Sequence, residues 1–138
     1  MGKTTGLGLT VSVDDAAGDL QDISNDINSF TVNTTRGEQD VTGIDKSALE
    51  RLLLLGDAEI SLTGVFNATA DKSHDVFKAI GTILAGQVGR TVTIAYPSAV
   101  TLSFEAVFSS YNTARGADGA LNFTATGKLA DGTVPTFG

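Results

Sequence analysis

Apolar and polar residues alternate along most of this chain. Leu7, Leu9, Val11 and Val13 are separated by Gly8, Thr10 and Ser12, the period of a strand with one buried face, and Asp14 and Asp15 end it. Ile27 to Thr35 is β-permissive, with Phe30 and Val32 on one parity. In Ala58 to Asn67, Ile60, Leu62, Gly64 and Phe66 oppose Glu59, Ser61, Thr63 and Val65. Val92, Ile94 and Tyr96 open another strand, and Pro97 closes it because proline cannot donate to a ladder. Leu102, Phe104, Ala106 and Phe108 continue the alternation, so Arg90 to Ser109 reads as a hairpin turning at Pro97 to Val100. Leu121, Phe123, Ala125 and Leu129 mark the last long strand.

Helical spacing is confined to two places. Val76, Phe77, Ile80, Ile83 and Leu84 recur as one stripe; Asp71 or Ser73 is placed to cap it, and Gly86 and Gly89 to stop it. The second is Asp40 to Leu55, DVTGIDKSALERLLLL, where Ser47 and Glu50 have capping-box spacing and Leu49, Leu52 and Leu53 would share a face. This predicts a short helical turn laid on the sheet. Four successive leucines exceed one narrow core stripe, so part of Leu52 to Leu55 is a candidate contact for a neighbouring subunit. The polar, glycine-containing stretch Asn33 to Gly43 reads as a long loop of the kind that is functional or mobile. The expected fold class is mainly β with one flanking α-helix, an antiparallel β-sandwich or partly closed barrel, in a single domain over residues 1–138.

Composition narrows the function. With 138 residues, 41% hydrophobic and 18% charged, the chain can bury a real core. A formal charge of -7 argues against a protein that grips nucleic-acid phosphates. Ten of the acidic residues lie between Met1 and Asp57, against Lys3, Arg36, Lys46 and Arg51. The absence of cysteine excludes disulfides, thiolate metal sites and a cysteine nucleophile. No signal peptide is visible at MGKTTGLGL, and no run approaches the roughly 20 apolar residues of a membrane span, so a soluble protein made in the cytoplasm is expected.

Catalytic and ligand chemistry is sparse. His74 is the single histidine, beside Ser73 at a helix start, and reads as an ordinary polar helix residue rather than a triad base. Gly6 and Gly8 lack the remainder of a phosphate loop. Asp14, Asp15, Asp19 and Asp22 offer hard oxygen ligands, but their spacing departs from the EF-hand pattern, and a solvated acidic loop accounts for them. The sequons at Asn33, Asn67 and Asn122 fit chance in a threonine-rich β protein. No catalytic residue, cofactor or metal is assigned. Two other classes stay open: a cell-surface or secreted β-sandwich binding module, calcium-dependent in one version, and a hydrolase using an acidic pair.

Several segments, in order along nearly the whole chain, carry a resemblance. They are DDAAGDLQDIS at Asp14 to Ser24, DVTGIDKSALERLLLL at Asp40 to Leu55, GVFNA at Gly64 to Ala68, SHDVFK at Ser73 to Lys78, RTVTI at Arg90 to Ile94 and LADGTVPTF at Leu129 to Phe137. With them the chain resembles the tail tube (major tail) proteins of long non-contractile-tailed phages, of the actinobacteriophage type. The resemblance implies a non-enzymatic virion protein, assembled in the host cytoplasm, whose hexameric rings stack into a hollow tube. Its implied partners are further copies of itself, a tape measure protein, and tail-tip and tail-terminator proteins; DNA would pass through the lumen without specific binding, and no membrane is involved. An acidic chain suits such a lumen, because basic residues would add phosphate contacts at every ring. The implied assembly elements are the Asn33 to Gly43 loop with Arg36, Glu38 and Asp40, a flexible N-terminal arm Met1 to Gly6, and the tail Thr133 to Gly138 with Thr133 and Phe137; from the leucine run itself, Leu54 and Leu55 join them as candidate interface residues. The loop and termini are expected to order only when rings stack.

Overall fold

A computed structural model describes residues 3, 5–80, 89–133 and 135–138. Its strands are β1 (Thr10–Asp14), β2 (Leu20–Asp22), β3 (Ile27–Asp40), β4 (Arg51–Val65), β5 (Arg90–Tyr96), β6 (Val100–Arg115) and β7 (Leu121–Leu129). Among the described residues one short helix, α1 (Ser73–Phe77), lies between β4 and β5. All seven strands form a single antiparallel sheet in the order β2-β1-β5-β6-β7-β4-β3. The mainly β expectation with a flanking helix holds, as an open, curled sheet.

The curl follows from connectivity. β2 and β3 occupy opposite edges, separated by six strand spacings of about 4.8 Å, or roughly 29 Å if the sheet were flat. The chain crosses between them in the short segment from Asp22 to Ile27, which can reach at most about 18 Å and contains a 3-10 turn, Ser24–Asp26. The edges must therefore bend toward each other. Phe30 on β3 and Tyr96 on β5 meet with ring centroids 6.3 Å apart, although four strand spacings, about 19 Å, separate those strands along the sheet. Backbone bonds fix the crossing segment to β1: the Ile23 amide donates to the Val11 carbonyl at 3.1 Å, and the Val11 amide donates to Ser24 Oγ at 2.8 Å.

The inward face carries the core, in the alternation read from the sequence: Val11 and Val13, Ile60 and Leu62, Val92 and Ile94, Leu102, Phe104, Ala106 and Phe108, Phe123 and Ala125 are all buried. Helix α1 covers one part of this face with Val76 and Phe77, and Phe77 packs against Phe108, Tyr111 and Phe123 at centroid distances of 5.1, 5.7 and 5.9 Å. The helix differs from expectation at its start. Neither Asp71 nor Ser73 caps it; the N-cap is Lys72, which makes no side-chain cap bond, and Ser73 is inside the helix. The Ser73 hydroxyl instead donates to the Val65 carbonyl at 3.0 Å and accepts from the Asn67 amide at 3.1 Å. The free amide at the helix start is satisfied by Asp26, whose buried carboxylate accepts from Ser73 N and from Asn67 Nδ2, both at 3.1 Å. Ile83, Leu84 and Gly86 lie outside the described residues, as does the stop predicted at Gly86.

Arg90, at the start of β5, is buried. Its Nη1 donates to the carbonyls of Val76, at the helix, and Asp14, at the end of β1. Burial pushes its guanidinium pKa down from the ordinary value, opposed by the charges of Asp15 and Asp14.

Two backbone positions show why particular residues are needed. Gly64 on β4 faces Ile27, and a Cβ placed there would lie 1.9 Å from the Asp26 carbonyl oxygen, so the 3-10 turn can dock only against a glycine. The β5–β6 turn has Ser98 and Ala99 at φ 68° and 62°, the primed-turn conformation that matches hairpin twist. Gly64→Ala is expected to cost about 2–3 kcal/mol in denaturant unfolding, as overpacked buried sites do; an unchanged midpoint would refute this account of the crossing. Ala99→Gly is expected to raise stability by about 1 kcal/mol, because the left-handed conformation penalises alanine; a lower midpoint would show that turn to be relaxed as it stands.

Candidate functional site

β3 and β4 run on past the rest of the sheet. β7 accompanies β4 only from Glu59 to Val65, whereas β3 pairs with β4 as far as Asp40 opposite Arg51. Residues 34–40 and 51–58 thus form a two-stranded ribbon, an arm that projects from the sheet and ends in a loop over residues 41–50. Two expectations are corrected here. The stretch from Asn33 to Asp40 is the outer half of β3, with loop structure only from residue 41 onward. Leu52 to Leu55 belong to β4, and the Ser47–Glu50 spacing does not start a helix.

The physical reason is local pairing. Ser47 lies in a bend and Glu50 closes the loop: its amide donates to Thr42 Oγ1 at 2.8 Å, and its carbonyl accepts from the Val41 amide at 3.0 Å. Asp40 anchors the same corner by accepting from Thr42 N at 2.9 Å and Thr42 Oγ1 at 2.5 Å. These bonds from the Thr42 hydroxyl and then its amide hold the Asp40 carboxyl below its ordinary pKa.

A β-bulge interrupts the ribbon. Arg36 pairs with Gly56 and Glu38 with Leu53, so Leu54 and Leu55 together oppose Gly37. A side chain at Gly37 would press on Leu54, whose Cδ1 lies 3.3 Å from the position of a Cβ there. Arg36 Nε donates to the Leu54 carbonyl at 2.9 Å, across the bulge. Arg51 Nε lies 3.7 Å from Glu38 Oε2, an exposed pair of small energetic value.

The arm therefore gathers five of the residues expected at a subunit interface: Arg36, Glu38, Asp40, Leu54 and Leu55. It also exposes apolar surface. Leu52, Leu53, Leu54 and Leu55 are 56%, 56%, 45% and 91% exposed, and at the tip Ile44 is fully exposed, with Val41 and Leu49 beside it. A ribbon two strands wide has no interior in which to put them. Val41 and Ile44 were missed from the sequence, and Leu49 was placed on a helical face instead of the tip; apolar residues spaced through a turn-rich segment between two strands were the available sign.

Thr133 and Phe137 lie elsewhere. The C-terminal tail returns along β6: Gly138 and Thr101 exchange backbone hydrogen bonds of 2.8 Å, Phe137 bridges to Leu102, and its ring stands 5.8 Å from that of Tyr96. Within one subunit the tail end lies against the sheet at residues 137–138. The early aspartates also have local work. Asp15 accepts from Ala17 N and Asp19 N, Asp22 from Ser24 N and Oγ, and Asp14 from Thr91 N. Among the described residues no group of three or more potential metal ligands converges. His74 packs on Phe66 at 4.5 Å, and its Nδ1 lies 3.1 Å from the Tyr111 hydroxyl.

Replacing Thr42 by Val is expected to raise the Asp40 pKa toward 3.8, as read by carboxyl NMR titration. A carboxylate held low stabilises the corner above its unfolded pKa and loses that contribution as pH falls through its folded value. In the wild type, loop amide protection should therefore weaken only in acid; no change in either quantity would sink the anchoring role.

No protein-family model matches the chain, and no curated protein matches it by sequence. Solved structures do. A chain from the tail of an empty gene transfer agent particle, computed with helical refinement and C6 symmetry, matches with a TM-score of 0.75 at 18% identity over 99% of both chains. One from the virion of a native gene transfer agent particle gives 0.72 at 17% identity, again over 99% of both. A chain of the six-fold symmetrised baseplate of the anti-feeding prophage gives 0.65 at 13% identity, covering 99% of this chain and 96% of that one. The fold described above is thus one found in tail and baseplate components of phage-like particles.

Proposed function

We propose that this chain is a tail tube subunit, forming hexameric rings that stack into the hollow tube of a phage or phage-like particle. The observation that carries this reading is the projecting arm: a stiff ribbon with exposed leucines that the subunit alone has no means of covering. The full-length likeness in fold to a chain from a helical, six-fold tail supports it. The resemblance of the sequence segments points the same way.

Energetics are compatible with assembly through the arm. Fully burying one leucine is worth about 1.5–3 kcal/mol. Four leucines, about half covered at the start, contribute about 3–6 kcal/mol, which offsets the lower end of an association cost of about 4–15 kcal/mol, the remainder falling to the other contacts that a subunit makes with several neighbours. A formal charge of -7 per subunit opposes this at long range, and salt screens it over a Debye length of about 10 Å at 0.1 M. A ring closes by rotation through one head-to-tail contact, while stacking leaves the array open along its axis. In this reading the tape measure protein and then DNA occupy the lumen, tail-tip and terminator proteins bound the tube, and the protein resides in the virion after assembly in the host cytoplasm. The chain has no enzymatic role in it.

Negative-stain microscopy of purified protein across concentration and salt tests the reading. Rings and tubes are expected, more readily at higher salt. Arg36→Glu should shorten or abolish tubes and Leu55→Glu should raise the concentration needed for assembly about tenfold, both with unchanged circular dichroism melts, since these residues lie outside the core. A monodisperse monomer under all conditions, especially one stabilised by calcium, would overturn the proposal in favour of a binding module.

A further inference from the structure

A concavity of about 1210 Å³ with mixed polar and apolar walls opens between the start of β3, the segment before β1 and the β5–β6 turn. Leu9, Ile27, Phe30, Tyr96 and Phe137 supply its apolar walls, and Lys3 stands among its lining. Among the described residues none of the lining side chains is acidic. The tip of the arm has the opposite character in both shape and charge. Ile44 stands wholly free, Val41 and Leu49 flank it, and Asp40, Asp45 and Glu50 outnumber Lys46.

The geometry points to one occupant for this groove: the arm tip of a second copy of the chain, with Ile44 seated among Phe30, Tyr96 and Phe137. The inference rests on the tube reading and names the receptor for its arm. A subunit cannot fill its own groove. Phe30 lines the groove and Asp40 begins the tip, and the extended ladder between them spans about 34 Å. A protruding apolar residue and a complementary concavity at different places on one molecule make a head-to-tail contact, which repeats from copy to copy. Burial of Ile44 removes water from the most exposed apolar side chain of the arm, and Lys3 faces a tip of net negative charge.

The chain contains no cysteine, so disulfide trapping reads this contact without interference. In the double variant Ile44→Cys with Val100→Cys, a groove-lining position, oxidation of assembled tubes is expected to yield a ladder of covalent oligomers on non-reducing gels. The pair Ile44→Cys with Asp118→Cys, at the β6–β7 turn, is expected to yield none, because bridging requires Cα atoms within about 7 Å. Separately, Ile44→Asp should raise the critical concentration for assembly at least tenfold without altering the melt. Tubes that form but give no ladder with the first pair, a ladder equally strong with the control pair, or an unchanged critical concentration for Ile44→Asp would each overturn the docking alone. Failure of the wild-type protein to assemble at all would overturn the tube reading, and this contact with it.

Discussion

The architecture depends on one short piece of chain. Because β2 and β3 sit at opposite edges of the sheet yet are joined through a single 3-10 turn, the sheet must curl, and everything packed inside the curl follows from that closure. The turn is held by two sets of hydrogen bonds and one close backbone fit. Its backbone and Ser24 are fixed to Val11, its Asp26 carboxylate satisfies the start of α1, and its Asp26 carbonyl fits against β4 only because position 64 carries no side chain. The covering helix is thereby tied to the strand crossing: the same acid that ends the 3-10 turn orients Ser73, and Phe77 follows into the core. Buried carboxylates are costly unless bonded, which makes this junction intolerant of partial formation.

A curled sheet that stops short of closure leaves edges, and β3 is an edge along its whole length. Long exposed edges invite association with other chains unless they are blunted. Here the outer half of β3 is richly polar, with threonines, Arg36, Glu38 and Asp40, while its partner β4 carries the leucines. The bulge at Gly37 adds twist to the ribbon and breaks the ladder register, which limits how far a flat, nonspecific stacking of arms could propagate. The arm thus combines an apolar strand with a polar, irregular one, a combination suited to a specific partner surface.

Alternation in the sequence located every core strand, because inward positions such as Ile60, Leu62, Phe104 and Phe123 contrast with polar neighbours. The arm was misread for the same physical reason. Outside the sheet no face is buried, so Asn33 to Asp40 shows no apolar period, and Leu52 to Leu55 run consecutively; without alternation, a strand imitates a loop or a helical turn. The Ser47–Glu50 spacing was a real local preference overridden by pairing with β3 and by the Thr42 corner. The helix start was illegible for another reason: its amide is satisfied from Asp26, 47 residues upstream, and no window of local sequence contains both partners. The interface candidates divided likewise. Arg36, Glu38, Asp40, Leu54 and Leu55 fell together because they oppose one another across one ribbon, whereas Thr133 and Phe137 belong to a tail that follows β6.

That the arm is a hydrogen-bonded ribbon rather than a loose loop bears on the kinetics of anything it joins. Its backbone is already paired strand to strand within the subunit, so docking would immobilise mainly side chains and the few residues of the tip. In the proposed tube, the activation barrier to association would then come chiefly from orientation and from repulsion between acidic subunits, rather than from a search through loop conformations. Such a surface would add rapidly to a correctly oriented neighbour while forming first contacts slowly. Growth by addition to an existing end would outrun spontaneous starts, and the number of assemblies would be set by how many starting points are provided.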